Sequence, residues 1–154
     1  MGMRESLWRD TLSRVELRDA LSVSPDTPIQ QTLERMRTAG TGCALVCDGR
    51  RLLGIFTERD LVRRVLAPGF DQGRQIQDVM TPRPATAKLS DSVGWTLRTM
   101  CQGHYRHLPV VDDAGGVLGV VSTKSLVRYL VEYVPSAVYN LPPERRVQQT
   151  REGA

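Results

Sequence analysis

The stretch Gly54-Ile55-Phe56-Thr57-Glu58-Arg59-Asp60 recurs later in the chain as Gly119-Val120-Val121-Ser122-Thr123-Lys124-Ser125. In each copy a glycine and a short apolar strand lead into a hydroxyl residue, Thr57 or Ser122, that is suited to open a helix. The first turn of a helix has unpaired N–H groups and a positive dipole end, so this junction can hold an anion, and the Asp60 carboxylate one turn later can accept both hydroxyls of a ribose. Thr57 with Asp60 also fits a capping box that only starts a helix. The stretch therefore predicts either a sugar-phosphate site or a plain helix cap.

The similarity between the two copies extends well beyond this stretch. Apolar residues at helical spacing repeat after 64 positions, with Val93, Leu97 and Met100 following Ile29, Leu33 and Met36. In both copies the surrounding pattern predicts a strand, a helix, a hairpin of two strands and a second helix. Each copy is too small to bury its apolar faces alone. We therefore predict an α+β fold in which tandem β-α-β-β-α repeats pack sheet to sheet about a pseudo-two-fold axis, with two related clefts between them.

The repeats divide the chain into five segments. We expect an amphipathic helix over 4–20 that lies outside the repeat, and a linker with a short helical piece around Ile76 and Val79. The predicted segments are an N-terminal helical segment (1–20), repeat 1 (21–66), the linker (67–83), repeat 2 (84–134) and an extended C-terminal tail (135–154).

Composition narrows the class of protein. The 154 residues carry a net charge of +4, but the basic residues are scattered among acids and aromatic residues are only 5%, so nucleic-acid binding is unlikely. No apolar run reaches the roughly 18 residues that span a bilayer, and residues 1–10 do not resemble a signal peptide. Three cysteines do not form a disulfide framework, and Cys43 and Cys47 are expected in the core. We expect a cytoplasmic protein without a membrane contact.

Five short motifs occur in a characteristic order and spacing: Ser24-Pro25-Asp26-Thr27-Pro28-Ile29, Leu53-Gly54-Ile55-Phe56-Thr57-Glu58-Arg59-Asp60-Leu61, Asp78-Val79-Met80-Thr81, Arg106-His107-Leu108-Pro109-Val110-Val111-Asp112 and Leu118-Gly119-Val120-Val121-Ser122. Together they resemble the cystathionine β-synthase (CBS) domain pair, also named the Bateman module, over about residues 15–133. The resemblance implies a regulatory module that binds AMP, ADP, ATP or S-adenosylmethionine between the repeats as a regulatory ligand. It implies no prosthetic group and no catalysis.

The resemblance also implies roles for individual residues. A Thr or Ser at the positions of Thr57 and Ser122 contacts phosphate in that family, and an Asp at the position of Asp60 holds the ribose hydroxyls. Basic residues at the positions of Arg106 and His107 reach the phosphates from the opposite repeat. The chemistry fits, because Arg offers a planar fork for phosphate oxygens and His a donor of variable charge.

The two clefts are expected to differ. Ser125 replaces the carboxylate of the first repeat, and Gly42 and Cys43 stand where repeat 2 has its basic pair. The cleft built on Thr57 and Asp60 should therefore fill first, whereas the cleft built on Ser122 and Ser125 is weak or degenerate. Arg59, near the start of its helix, is a further phosphate candidate, but a solvated helix face shared with Arg63 and Arg64 is the favoured interpretation.

Other readings of the chain stay open. Cys101, His104 and His107 form a C-x-x-H-x-x-H pattern that spans a helix end and the next strand, and we expect no metal there because no fourth Cys or His lies nearby. Apolar residues on the second helices, Val62, Val65, Leu130 and Tyr133, favour a homodimer. The alternatives to a nucleotide sensor are an interaction or scaffold protein that has lost ligand binding, and a weak nucleic-acid-binding module. The regulated protein is unknown.

Overall fold

The computed structural model of the chain describes residues 2–69, 71 and 73–133. The predicted tail, 135–154, lies outside the described residues. No helix in the described part of the chain is long and apolar enough to cross a membrane.

The helices and strands follow the predicted β-α-β-β-α order in repeat 1, and in repeat 2 they follow it from the first helix onward. The first half contains α1 (Met3–Arg9), β1 (Ser22–Val23), α2 (Ile29–Ala39), β2 (Cys43–Asp48), β3 (Arg51–Thr57) and α3 (Glu58–Asp60), which continues as a π-helical turn over Leu61–Val65. The second half contains β4 (Thr81–Pro82), α4 (Val93–Gly103), β5 (His107–Val111), β6 (Val117–Ser122) and α5 (Thr123–Tyr133). Two 3-10 turns, Leu12–Arg14 and Ile76–Asp78, precede the two repeats.

The two sheets have equivalent strand orders. The first has the order β1-β2-β3-β4, with β1 parallel to β2 and the other neighbours antiparallel. The second consists of the β5-β6 hairpin, extended by single bridges from Ala87 to Val110 and from Arg18 to Val120. The strand predicted over 85–87 is therefore reduced to the Ala87 bridge. The order in both sheets confirms the predicted repeat.

Each repeat is completed by a segment that precedes the other repeat. We name residues 11–20 the first arm and residues 75–84 the second arm. The amide of Val93 donates to the carbonyl of Asp10 (2.8 Å), and the amide of Ile29 donates to the carbonyl of Arg74 (3.2 Å), so the same contact occurs 64 positions apart. Arms and repeats are thus exchanged about a pseudo-two-fold axis.

The exchanged arms fill the cores of the repeats. Leu12 and Val15 of the first arm are buried with repeat 2, around Val93, Leu108 and Val121. Ile76 and Val79 of the second arm are buried with repeat 1, around Ile29, Val46 and Phe56. Neither repeat therefore has a closed core without an arm from elsewhere in the chain.

The long leading helix predicted over 4–20 is wrong. Helix α1 ends at Arg9, and Asp10 is already extended, with a ψ of 138°. The apolar residues Leu12, Val15 and Leu17, whose spacing predicted a helical stripe, pack instead against repeat 2 as part of the first arm. This arm is also not outside the repeat, because it is equivalent to the second arm, in which a helical piece around Ile76 was predicted and is present.

The sheets of the two repeats face each other across a shared cluster. Cys43, Leu45, Cys47 and Ile55 of the first sheet pack with Val120 of the second. This confirms the sheet-to-sheet packing and the burial of Cys43 and Cys47. Burial raises the pKa of both thiols, which disfavours the reactive thiolate.

The outer face of the second helices differs from the prediction. Val65 and Leu130 were predicted to contribute to a homodimer surface there, but they pack against the cores of repeats 1 and 2. The predicted α-helix over 58–66 changes to π-helical winding at Leu61, which alters the face that each later residue presents. The exposed apolar residues are Val62 and Leu66 in repeat 1 and their counterparts in repeat 2, Val127 and Val131. The side chain of Tyr133 lies outside the described residues.

Candidate functional site

Thr57 and Asp60 form the helix cap that their spacing predicted. The Thr57 amide donates to Asp60 Oδ2 at 2.9 Å, and the Thr57 hydroxyl donates to the same oxygen at 3.2 Å. Helix α3 therefore begins at a capping box. Asp60 is buried, with 7% of its surface exposed, so its carboxylate is partly desolvated.

Asp60 also links the cap to the second arm. Its other oxygen, Oδ1, accepts from the Thr81 hydroxyl at 3.3 Å and lies 3.9 Å from Arg64 Nε. Both carboxylate oxygens thus have protein partners. A ribose that used Asp60 would have to share or replace the hydroxyl bond to Thr81.

Ser122 and Ser125 form the corresponding junction in repeat 2 without a carboxylate. Their hydroxyl oxygens lie 3.0 Å apart, and the Ser125 amide donates to Ser122 Oγ at 3.1 Å. Ser122 is buried. The cap is therefore kept in both repeats, but only the first offers a buried negative charge. That the second cleft binds more weakly stays a prediction.

His107 lies at the seam between the repeats. A Cβ atom built on Gly42 would lie 3.5 Å from His107 Cε1 and 3.3 Å from Glu58 Cδ, so both side chains approach the backbone of repeat 1 closely at this glycine. Burial lowers the pKa of His107, and the nearby charges of Arg18, Arg106 and Lys124 lower it further, whereas Glu58 raises it. Three cations and one carboxylate thus lie within electrostatic range of His107.

Arg59 and Arg106 line a cleft of about 330 Å³ at the end of helix α4. Its other lining residues are Leu97, Met100, Cys101, His104, Tyr105 and Thr123. Arg59 reaches it from repeat 1 and donates through Nη2 to the carbonyl of His104 at 2.9 Å. The structure thus brings two of the predicted site residues together in this cleft. Thr57, Asp60, His107 and Ser122 are not among its lining residues.

The structure separates the three residues of the C-x-x-H-x-x-H pattern. Cys101 and His104 line the cleft, whereas the ring of His107 lies beside Gly42 and Glu58. Within the described residues, no group of three or more His, Cys, Asp or Glu side chains is arranged to hold a metal ion. Sequence reasoning assigned no role to Tyr105, Leu97 or Met100 at this cleft.

Comparison with known proteins identifies relatives of the whole repeat pair. The family model named CBS domain matches residues 12–67 and 76–132, so each match begins in one of the arms. A solved structure, of a putative signal-transduction protein with CBS domains from Burkholderia ambifaria, has a TM-score of 0.71 and 27% identity, and covers 79% of this chain and 90% of that one. A CBS domain protein from Pyrobaculum aerophilum, complexed with AMP, has a TM-score of 0.70 at 21% identity, covering 79% of this chain and 98% of that one. The second likeness shows the fold alone.

Among curated proteins, the meiotically up-regulated gene 70 protein of Schizosaccharomyces pombe is 38% identical over 101 residues, which is 65% of this chain. The chain spans 14% of that protein's length and 25% of the length of a CBS domain-containing protein of Arabidopsis thaliana. The similarity to these longer proteins thus concerns the repeat pair.

Proposed function

Because the chain belongs to the CBS domain family, we propose that it is a regulatory module that binds an adenine nucleotide between its two repeats and performs no chemistry on it. The candidate ligands are AMP, ADP, ATP and S-adenosylmethionine. The observation that carries the proposal is that groups from both repeats meet at one seam: the buried Asp60 carboxylate lies at the start of helix α3, and His107 of repeat 2 approaches Gly42 of repeat 1. Asp60 offers an acceptor for ribose hydroxyls, and Arg106, next to His107 in the chain, offers a cation for a phosphate.

The proposed ligand lies with its ribose near Asp60 and its phosphates near Thr57, Ser122 and His107. Arg106 and Arg59 approach the phosphates from the neighbouring cleft. The AMP complex of the Pyrobaculum aerophilum protein, which has the same fold, supports AMP as the first ligand to test. Ligand binding would alter a regulated partner by favouring one arrangement of the repeats over another.

Calorimetric titration of the full chain with AMP, ATP and S-adenosylmethionine tests the proposal. We expect at least one of them to bind, and Asp60→Asn to weaken it about tenfold by removing the charged acceptor for the ribose hydroxyls. Ser125→Ala is the matched control, because Ser125 occupies the same position in repeat 2. Thermal unfolding verifies that each variant is folded. Absence of binding by all three compounds would refute the nucleotide sensor.

A scaffold that has lost ligand binding is the second candidate, and the partners of Asp60 favour it. Both oxygens of that carboxylate are already satisfied by Thr57 and Thr81, as expected of a purely structural cap. The titration distinguishes the two candidates, because the scaffold predicts no heat with any nucleotide.

We also propose that the module forms a homodimer through the second helices. The exposed pairs Val62 with Leu66 and Val127 with Val131 occupy equivalent places in the two repeats, so a two-fold partner could cover both. Light scattering after size exclusion measures the mass directly. The cytoplasmic location stays a prediction.

A further inference from the structure

Glu58, the first residue of helix α3, places an exposed carboxylate at the seam between the repeats. Its backbone is fixed there, because its amide donates to the carbonyl of Gly42 at 3.2 Å. A Cβ atom built on Gly42 would lie 3.4 Å from Glu58 Oε1 and 3.5 Å from His107 Cε1. The carboxylate and the imidazole ring therefore approach the same glycine from the two repeats. Glu58 thus lies beside His107, where the phosphates of the ligand are proposed to lie.

Gly42 leaves room for these two side chains. Its φ is not in the left-handed region, so its backbone conformation does not require a glycine. A Cβ atom at this position would be only 3.3 Å from the carboxyl carbon of Glu58. Any larger residue would therefore displace the carboxylate. The glycine accounts for how closely Glu58 and His107 approach the backbone of repeat 1.

The internal repeat shows that the fold does not require a carboxylate at this position. The counterpart of Glu58 in repeat 2 is Thr123. The Thr123 amide donates to the carbonyl of Arg106 at 3.1 Å, as the Glu58 amide donates to that of Gly42. The same main-chain contact therefore begins helices α3 and α5 with two different side chains. The negative charge of Glu58 is not needed to begin helix α3.

The charge of Glu58 is available to act on a ligand. In the part of the chain that the structure describes, Glu58 takes part in no ion pair. Its charge raises the pKa of His107, whereas Arg18, Arg106 and Lys124 lower it, so the site has cations for a phosphate and one carboxylate that opposes it. A carboxylate in this position repels each negative charge that a ligand brings to His107 and attracts a positive one.

We propose that Glu58 makes the nucleotide site select against additional phosphates, so that AMP and S-adenosylmethionine are bound in preference to ADP and ATP. This inference rests on the proposed function, because it concerns the ligand of that same site. AMP has one phosphate, which Arg106 and His107 can hold, whereas the β- and γ-phosphates add negative charge beside the carboxylate. S-adenosylmethionine instead brings a sulfonium and an ammonium group, which a carboxylate attracts. Repulsion of the wrong ligand is a general source of specificity.

Calorimetric titration of the full chain with adenosine, AMP, ATP and S-adenosylmethionine tests this selectivity, without divalent cations and at low ionic strength, where exposed charges are least screened. Wild type should bind AMP more tightly than ATP. We expect Glu58→Gln to strengthen ATP binding about tenfold and AMP binding about threefold, and to weaken S-adenosylmethionine binding about threefold. Binding of adenosine, which is uncharged, should not change.

Glu34→Gln is the matched control, because Glu34 is an exposed carboxylate of the same repeat on helix α2. It removes the same charge from the protein and should leave all four affinities unchanged. Asp60→Asn gives a second comparison: it should weaken adenosine as well, because Asp60 acts on the ribose. Glu58→Thr, which introduces the residue type of repeat 2, should reproduce the effect of Glu58→Gln. Thermal unfolding verifies that each variant is folded.

Opposite changes for ATP and S-adenosylmethionine would identify an effect of charge, since a structural effect of Glu58 would shift all four affinities alike. Equal shifts for the four ligands, unchanged affinities in Glu58→Gln and Glu58→Thr, or tighter binding of ATP than of AMP by wild type would each overturn the proposal and leave the sensor function intact. Absence of binding of all four compounds by wild type and by Glu58→Gln would refute the sensor function together with the selectivity.

Discussion

Replacing Gly54 by alanine tests the exchange of arms directly. Strand β4 of the second arm pairs with β3 at this glycine, with Gly54 opposite Pro82. A Cβ atom on Gly54 would lie 2.9 Å from the carbonyl oxygen of Thr81 and would also collide with the sulfur of Met80. The Met80 side chain can turn away, but the carbonyl belongs to the backbone. The arm must therefore shift for an alanine to fit.

The pseudo-symmetric position provides a graded comparison. A Cβ atom on Gly119 would lie 3.0 Å from the carbonyl oxygen of Arg18 and 3.1 Å from Leu17 Cβ, both in the first arm. This contact is tight but slightly longer than that at Gly54. Overpacking of this kind destabilises by about 1–3 kcal/mol. We expect Gly54→Ala to lower the free energy of unfolding by about 2 kcal/mol and Gly119→Ala by about 1 kcal/mol.

Thermal and urea unfolding measure these losses, with Gly2→Ala as the control. No atom lies within 4 Å of a Cβ built on Gly2, and its φ of -73° suits any residue. A loss of 1 kcal/mol corresponds to a fall in melting temperature of about 2–4 °C in a chain of this size. Hydrogen exchange adds a local readout, since the Arg83 amide bonds the carbonyl of Leu53 beside the substitution. Wild-type stability for both Gly54→Ala and Gly119→Ala would refute the reasoning.

Three further substitutions test other parts of the structure. Leu12→Ala, at a fully buried position of the first arm, should lower the free energy of unfolding by about 2–5 kcal/mol in urea, whereas Leu118→Ala, at a half-exposed position, should change it little. His104 has a φ of 54°, in the left-handed region, and His104→Gly should raise the melting temperature, because relief of the left-handed strain, worth about 1–2 kcal/mol, exceeds the added entropy of an unfolded glycine; an unchanged or lower value would contradict the strain. Burial lowers the pKa of His107 in the folded state, so as the pH falls the unfolded chain takes up the proton before the folded chain does. Wild type should therefore lose stability as the pH falls below about 6.5. When both proteins are unfolded across that pH range, His107→Gln should not show this loss.

The repeat could be predicted from sequence because its signals are local. The stripes that start at Ile29 and Val93 and the hairpins that follow them depend on neighbours within one turn or one strand pair. The arms could not be predicted in the same way. Leu12 and Val15 have the spacing of a helix, yet their burial comes from contacts with repeat 2, about 70 residues or more away in the chain. Tertiary packing overrode the local pattern there.

In the candidate site, too, the local contacts could be predicted from sequence and the long-range contacts could not. The cap of Thr57 and Asp60 involves residues three positions apart, and the structure confirms its hydrogen bonds. The cleft of Arg59 and Arg106 depends on how two distant segments meet, which no local spacing reports. One signal for it was present in the sequence: Tyr105 and its neighbours break the 64-residue repeat where the apolar stripe beneath them keeps it.

Asp60 connects ligand recognition to the exchanged fold. Its Oδ2 caps helix α3, while its Oδ1 accepts from Thr81 in the second arm. A ribose hydroxyl that donates to Oδ1 would compete with Thr81, one residue before Pro82, which pairs with Gly54 on strand β3. The bond that the second arm would lose is a hydrogen bond to a charged group, which is worth about 1.5–3 kcal/mol. That is within the range of free energies that couple two sites in allosteric proteins. An adenine nucleotide at the seam would therefore change how strongly repeat 1 binds the second arm. Because the second arm leads directly into repeat 2, the change would reach that repeat as well.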